Sequence, residues 1–174
     1  MTASTAAELT TVELTTVELF KDAMKFSAGH FTIFSEDRRE RMHGHNFAVQ
    51  ISITGEPDDN GMMGDYGQFK RIAIALCDSL DEWFLLPGRS PHLTLREDGE
   101  YVVAEFAGRA IPFLRSDVQV LPVRNITVEE LARYLCDRLI DEGKVLAVAP
   151  IHRLTVKVSS GPGQQAVAGW RRPV

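Results

Sequence analysis

A chain of 174 residues with 44% hydrophobic and 25% charged residues has the proportions of one globular domain, long enough to bury roughly 70% of its unfolded surface. A formal charge of −5 and a pI near 5.5 give no basis for binding nucleic acid or an acidic membrane. No apolar run reaches membrane-spanning length, and the first residues lack the basic start and apolar core of a signal peptide, so the cytoplasm is the expected compartment.

In chain order, residues 1–16 are rich in Thr and Ala, and Thr10–Leu14 is duplicated as Thr15–Leu19. This stretch is expected to be a flexible extension preceding a single domain over 17–174. Residues 17–34 and 45–55 read as two long strands; the second alternates Phe47, Val49, Ile51 and Ile53 with Ala48, Gln50, Ser52 and Thr54, the pattern of a half-buried strand. After the turn cluster Pro57–Gly61, Asp65 is a candidate N-cap for a helix whose apolar face is Phe69, Ile72, Ala73, Leu76 and Leu80. Residues 86–124 read as irregular apart from a hairpin, Tyr101–Phe106 with Ala110–Leu114, around Ala107-Gly108-Arg109.

Thr127 and Glu130 have capping-box spacing and open a second helix through Leu131, Tyr134, Leu135 and Leu139. Two final strands, 153–158 and 166–171, flank Ser159-Ser-Gly-Pro-Gly163. Hairpins at both ends of a helix pair predict an α+β domain: an antiparallel sheet covered on one face. The cysteines, Cys77 and Cys136, fall in the two helical patterns without CxxC spacing and are expected to be buried, reduced thiols.

The chemistry is concentrated in Phe26-Ser-Ala-Gly-His-Phe31 and Glu40-Arg-Met-His-Gly-His-Asn-Phe47. His43 and His45 are two apart, so on a strand both imidazoles leave one face. His30 precedes them by enough chain to turn and pair back. Three neutral imidazoles without a fourth protein ligand make the donor set of a catalytic zinc site with an open position. Unrelated histidines are the alternative, but a chain with five histidines rarely gathers three in so short a segment. Beside them, Arg38, Arg39 and Arg41 are either a solvated loop or a lure for an anionic substrate.

FSAGHF, HGHNF, GMMGDYGQFK, LDEWFLLP and NITVEELARYL, in this order over about residues 18–171, resemble the 6-pyruvoyl-tetrahydropterin and 6-carboxytetrahydropterin synthases. The resemblance implies a T-fold, a four-stranded antiparallel sheet with two helices on one face and here an inserted hairpin. It also implies subunits joined as a trimer or hexamer, with sites at subunit interfaces. His30, His43 and His45 match the family's Zn2+ ligands. Arg39 stands where the family commonly has a catalytic cysteine, and Glu40 resembles the glutamate of a variant branch, known in malaria parasites and some bacteria, that cleaves the dihydroneopterin side chain. A glutamate merely paired with a neighbouring arginine is the bland alternative for Glu40.

Asp81-Glu82 occupies the place of the family's proton-relaying Asp-His pair, with His92 in the next loop as a spatial substitute. Thr127 and Glu129 match a substrate-contacting Thr/Glu pair, which also serves to cap a helix. Ser159-Ser160 falls where the family anchors the pterin with a glutamate. The reading implied is a zinc-dependent lyase or synthase acting on the side chain of a dihydropterin, dihydroneopterin or its triphosphate. Its rivals are the same zinc site turned to a non-pterin substrate of specialised biosynthesis, and a catalytically silent zinc-binding assembly protein. The partners expected are a small molecule and copies of the chain, with neither nucleic acid nor membrane.

Overall fold

A computed structural model describes residues 13–141, 145–147 and 149–173. Most of the expected N-terminal extension, residues 1–12, lies outside the described residues. The expected strand over 17–34 is two strands, β1 (Thr15–Leu19) and β2 (Lys25–His30), so Thr15 and Thr16 of the expected extension already belong to the sheet. A turn separates them, closed by Met24 N donating to Lys21 O at 2.8 Å, and it tucks the Met24 side chain into the core. Both then pair antiparallel with one edge of the long strand β3 (His43–Gly55): β2 along 43–48 and β1 along 51–55.

The apolar alternation of β3 holds. Phe47, Val49, Ile51 and Ile53 face the core, and the other edge of β3 takes β9 (Ile151–Gly161), which pairs with β10 (Gln164–Arg171). Against this face lie α1 (Tyr66–Asp78) and α2 (Val128–Asp141), the latter on β9 and β10. Asp65 caps α1 as expected, its Oδ1 accepting from Gly67 N at 2.8 Å, a contact typically worth about 1 kcal/mol. The capping box of α2 is half made. Thr127 Oγ1 accepts from Glu130 N at 3.4 Å, but the Glu130 carboxylate turns to Arg124, taking its backbone N–H at 2.9 Å and its guanidinium at 2.6 Å.

The sheet is wider than expected and mixed. β4 (Trp83–Pro87) adds parallel to β2, and β8 (Val118–Leu121) adds parallel to β4, giving the order β10-β9-β3-β2-β4-β8. Instead of being irregular, 86–124 also holds β5 (Thr94–Asp98), β6 (Tyr101–Phe106) and β7 (Arg109–Leu114), a separate three-stranded sheet that contains the expected hairpin. Alternation along β4 explains how it docks. Leu85 enters the main core, while Phe84 and Leu86 join a second cluster with Phe31, Ile33, Val102 and Phe106. Gly29 in β2 makes this possible, because a Cβ there would lie 2.6 Å from the Phe84 ring. With two helices on one face and the inserted strands set apart, the T-fold is the architecture observed.

Both cysteines are buried thiols, and burial pushes Cys77 up to about 12 and Cys136 up to about 11. No helix among the described residues is long and apolar enough to cross a membrane.

Candidate active site

Register builds the site. Antiparallel pairing of β2 with β3 sets His30 opposite His43 and Ala28 opposite His45. His30, His43 and His45 therefore gather at the end of the core-facing side of the hairpin. Phe47 is their floor, its ring edge-on to His30 at 5.7 Å and to His45 at 5.8 Å and stacked on Phe26 at 5.0 Å. One nitrogen from each histidine lies within 4.8 Å of the others.

Hydrogen bonding orients the lone pairs. His30 Nδ1 is 2.9 Å from Ile126 O and His43 Nδ1 is 2.8 Å from Arg41 O. A carbonyl oxygen only accepts, so both Nδ1 atoms carry the proton and both Nε2 atoms present lone pairs. His43 Nε2 is 3.1 Å from His45 Nε2, close to the ~3.3 Å edge of a tetrahedron with zinc–nitrogen bonds of about 2.05 Å. His30, only 5% exposed, keeps Nε2 buried without a hydrogen-bond partner among the described residues. A buried orphan of that kind is costly unless something else satisfies it. Burial, helped by neighbouring His43, pushes its pKa down to about 4, so the ring is neutral near pH 7 and able to coordinate. The donor set and the orphaned nitrogen both fit a divalent cation of zinc's kind.

Glu40 joins this group. Its Oε2 lies 3.8 Å from His43 Nε2 and accepts from Thr32 N at 3.1 Å, while its own N–H donates to Thr32 O at 2.9 Å. Burial pushes the carboxyl up, but the hydrogen bond from Thr32 and the two histidines at 43 and 30 outweigh it and hold it below the ordinary carboxylate range. Arg39 turns the other way: its guanidinium sits 4.7 Å over the Phe31 ring and 5.8 Å from that of Phe106, and Nη1 donates to Glu40 O at 2.7 Å.

Glu82 and Asp81 lie on the opposite flank. Glu82 lines a cleft of about 560 Å³ together with His45, Asn46 and Ser27, and its backbone is left-handed at φ 63°. Asp81 does not line that cleft; its Oδ1 accepts from Ser27 N at 2.6 Å, fastening β2 to the end of α1. Thr127 and Glu129 share a different cleft of about 390 Å³ with His92. Ser159 and Ser160 are engaged in the β9–β10 turn, Ser159 Oγ donating to Gly161 O at 2.7 Å and Ser160 Oγ accepting from Gln164 Nε2 at 2.8 Å. Sequence reading missed the carbonyl of Ile126 and the backbone of Thr32, since a main-chain group carries no residue signature.

With this geometry in hand, comparison with known proteins gives a consistent neighbourhood. The profile of the 6-pyruvoyl tetrahydropterin synthase family matches residues 18–168. A protein of Methanocaldococcus jannaschii, provisionally named a 6-carboxy-5,6,7,8-tetrahydropterin synthase, is 31% identical over 146 residues, covering 82% of this chain and 88% of the relative. The 6-pyruvoyl tetrahydropterin synthase of Plasmodium falciparum superposes with a TM-score of 0.85 at 26% identity, over 91% of this chain and 99% of that one. That of Plasmodium vivax superposes at 0.86 and 24% identity over 92% and 99%, and it has also been solved with a catalytic glutamate replaced by cysteine or by alanine.

Proposed function

This chain belongs to the 6-pyruvoyl tetrahydropterin synthase family, and from that premise we propose that it is a zinc-dependent lyase acting on the side chain of a dihydropterin. The observation that carries the reading is the meeting of three imidazoles, one with a buried Nε2 that has no partner among the described residues, with a carboxylate 3.8 Å away. His30, His43 and His45 would hold the metal. Zinc in that cage supplies Lewis acidity toward an oxygen of the substrate's side chain.

Glu40 is the proposed base. It is ionised near neutrality, and Thr32 holds one oxygen while Oε1 accepts nothing among the described residues, which leaves it free to take a proton from the side chain. The Plasmodium vivax protein, whose catalytic glutamate has been replaced by cysteine and alanine, supports a carboxylate in that role. Glu82, which lines the other cleft with His45, is proposed to return a proton, and Asp81 to act through it by fastening the backbone of Ser27. Thr127, as well as capping α2, and Glu129 are proposed to contact the substrate. β10 and β8 end the sheet with Val167 57% and Val120 46% exposed, edges that joining to further copies in a trimer or hexamer would cover. Two buried reduced thiols suit the cytoplasm.

A second reading keeps the metal chemistry but changes the substrate. It is favoured by Ser159 and Ser160, whose hydroxyls are committed to their own turn and offer no carboxylate for the amidine-like edge of a pterin. The test is to incubate zinc-loaded protein with dihydroneopterin, its triphosphate and sepiapterin, and to follow products by mass spectrometry. A dihydropterin with a cleaved or dehydrated side chain is expected. Full zinc loading with no turnover of any of the three would overturn the pterin reading and leave the second.

A further inference from the structure

The loop between β8 and α2 reaches the histidine cluster through a side chain that neither holds the metal nor moves a proton. The amide of Asn125 makes three hydrogen bonds, two of them to one residue far back in the chain. Its Oδ1 accepts from Ile33 N at 3.1 Å and from Ile126 N at 3.1 Å, and its Nδ2 donates to Ile33 O at 2.8 Å. These partners fix which end is the oxygen, since turning the amide over would set donor against donor and acceptor against acceptor.

Ile33 is open to this clamp for a geometric reason. Its antiparallel bridge to Arg39 is closed by the flanking bonds from Phe34 N to Arg38 O and from Glu40 N to Thr32 O, both 2.9 Å. The N–H and C=O of Ile33 itself therefore point away from Arg39, to the side where the Asn125 amide stands in for a paired strand. The segment that follows His30 is thus held from two sides, by Glu40 at Thr32 and by Asn125 at Ile33. Asn125 also pins the peptide of Ile126, whose carbonyl oxygen lies 2.9 Å from His30 Nδ1.

We propose that Asn125 is a positioning residue of this centre, locking both the Ile126 carbonyl that aims His30 and the backbone segment that holds Glu40. A backbone carbonyl behind a ligating histidine sets which nitrogen the ring presents and where it points, so whatever fixes that carbonyl fixes the ligand. A neutral amide is what the place requires, because Ile33 offers one donor and one acceptor side by side. An aspartate would set a second oxygen against Ile33 O, and an alanine would leave all three backbone groups without it. That role rests on the reading of His30, His43 and His45 as metal ligands and of Glu40 as base, and is independent of the substrate.

The test measures zinc affinity by chelator competition, and the visible absorption of the cobalt-loaded chain, in Asn125→Asp and Asn125→Ala. The first keeps the shape and the two accepted bonds but loses the donor; the second loses all three. The zinc Kd should rise about 10-fold in Asn125→Asp and about 100-fold in Asn125→Ala, with a weaker and shifted cobalt band in both. Ala73→Gly, which loosens α1 in the main core, is the control, and at a comparable loss of unfolding temperature it should leave both metal readouts unchanged. At saturating zinc, kcat on any pterin that the wild type turns over should still fall about 10-fold in Asn125→Asp, since Glu40 loses its backing. Wild-type zinc affinity and cobalt absorption in both Asn125 variants would overturn the proposal, as would an equal loss of affinity in Ala73→Gly. Weakened zinc with an unchanged kcat at saturation would overturn the part that concerns Glu40. Should the wild type turn over no pterin while the Asn125 variants lose zinc, the pterin reading fails and the positioning of His30 stands. A wild type that takes up neither zinc nor cobalt would overturn the metal reading, and this proposal with it.

Discussion

The two flanks of the histidine triad each carry a glutamate, and they hold it in opposite ways. On one flank Glu40 is fixed through its side chain: Thr32 N binds the carboxylate, Glu40 N returns to Thr32 O, and Arg39 is pinned on two aromatic rings. On the other, Glu82 is fixed through its backbone. Its N–H donates to Ser27 O at 2.8 Å while Asp81 takes Ser27 N, so one residue of β2 is gripped from both sides and the Glu82 side chain is left in an open cleft. A carboxylate held by its own oxygens is preorganised for proton transfer, whereas one held by its main chain must find its geometry when substrate arrives. The Glu40 flank is therefore the one where small displacements are expensive.

The largest effect unites the flanks. His43→Ala combined with His45→Ala should reduce bound zinc from about one per chain to none and abolish turnover, read by metal analysis and product formation. Retained zinc in the double variant would break the premise that both flanks serve one centre.

Next comes the comparison itself. Glu40→Gln should lower kcat by roughly 100-fold with zinc content unchanged, and Glu82→Gln by about 10-fold or less. The reverse order would show that the loosely held glutamate does the chemistry and the tightly held one is structural.

Arg39→Ala removes two cation–π contacts and the hydrogen bond that steadies Glu40, so we expect a loss of about 1–2 kcal/mol in denaturant unfolding together with a lower kcat. Arg39→Lys should recover little of either, because an ammonium cannot span both rings. An unchanged kcat in Arg39→Ala would mean that Thr32 alone positions the base.

The smallest effect has the opposite sign. Glu82→Gly places a residue without a Cβ at φ 63° and should raise stability by about 0.5–1 kcal/mol while costing activity. A destabilised Glu82→Gly protein would show that the glutamate side chain contributes more to the fold than its backbone conformation costs.

Local chemistry made much of the fold readable in advance. A period of two in β3, a short capping side chain at Asp65 and a Gly at the β6–β7 turn act within a few residues of themselves, and each behaves as the sequence leads one to expect. What escaped was decided by distant partners. β5 is polar and exposed, and β8 has only four residues, so neither shows a pattern until β6 and β4 lie beside it. Glu130 fits a capping box in sequence, yet Arg124 offers it a charged donor and wins.

The same division runs through the site. By itself the sequence determined the donor set: two histidines on one strand face and a third on its neighbour are a consequence of the β period, and antiparallel pairing can bring them together. Only the tertiary structure decided which nitrogen each ring presents, because the deciding carbonyls belong to Ile126 and Arg41 and have no signature in residue identity. It alone turned Arg39 onto Phe106, 67 positions along the chain, leaving Glu40 to face the histidines. Side-chain identity and spacing are local quantities; orientation, burial and partner choice arise only when segments far apart in sequence compete for the same neighbours in space.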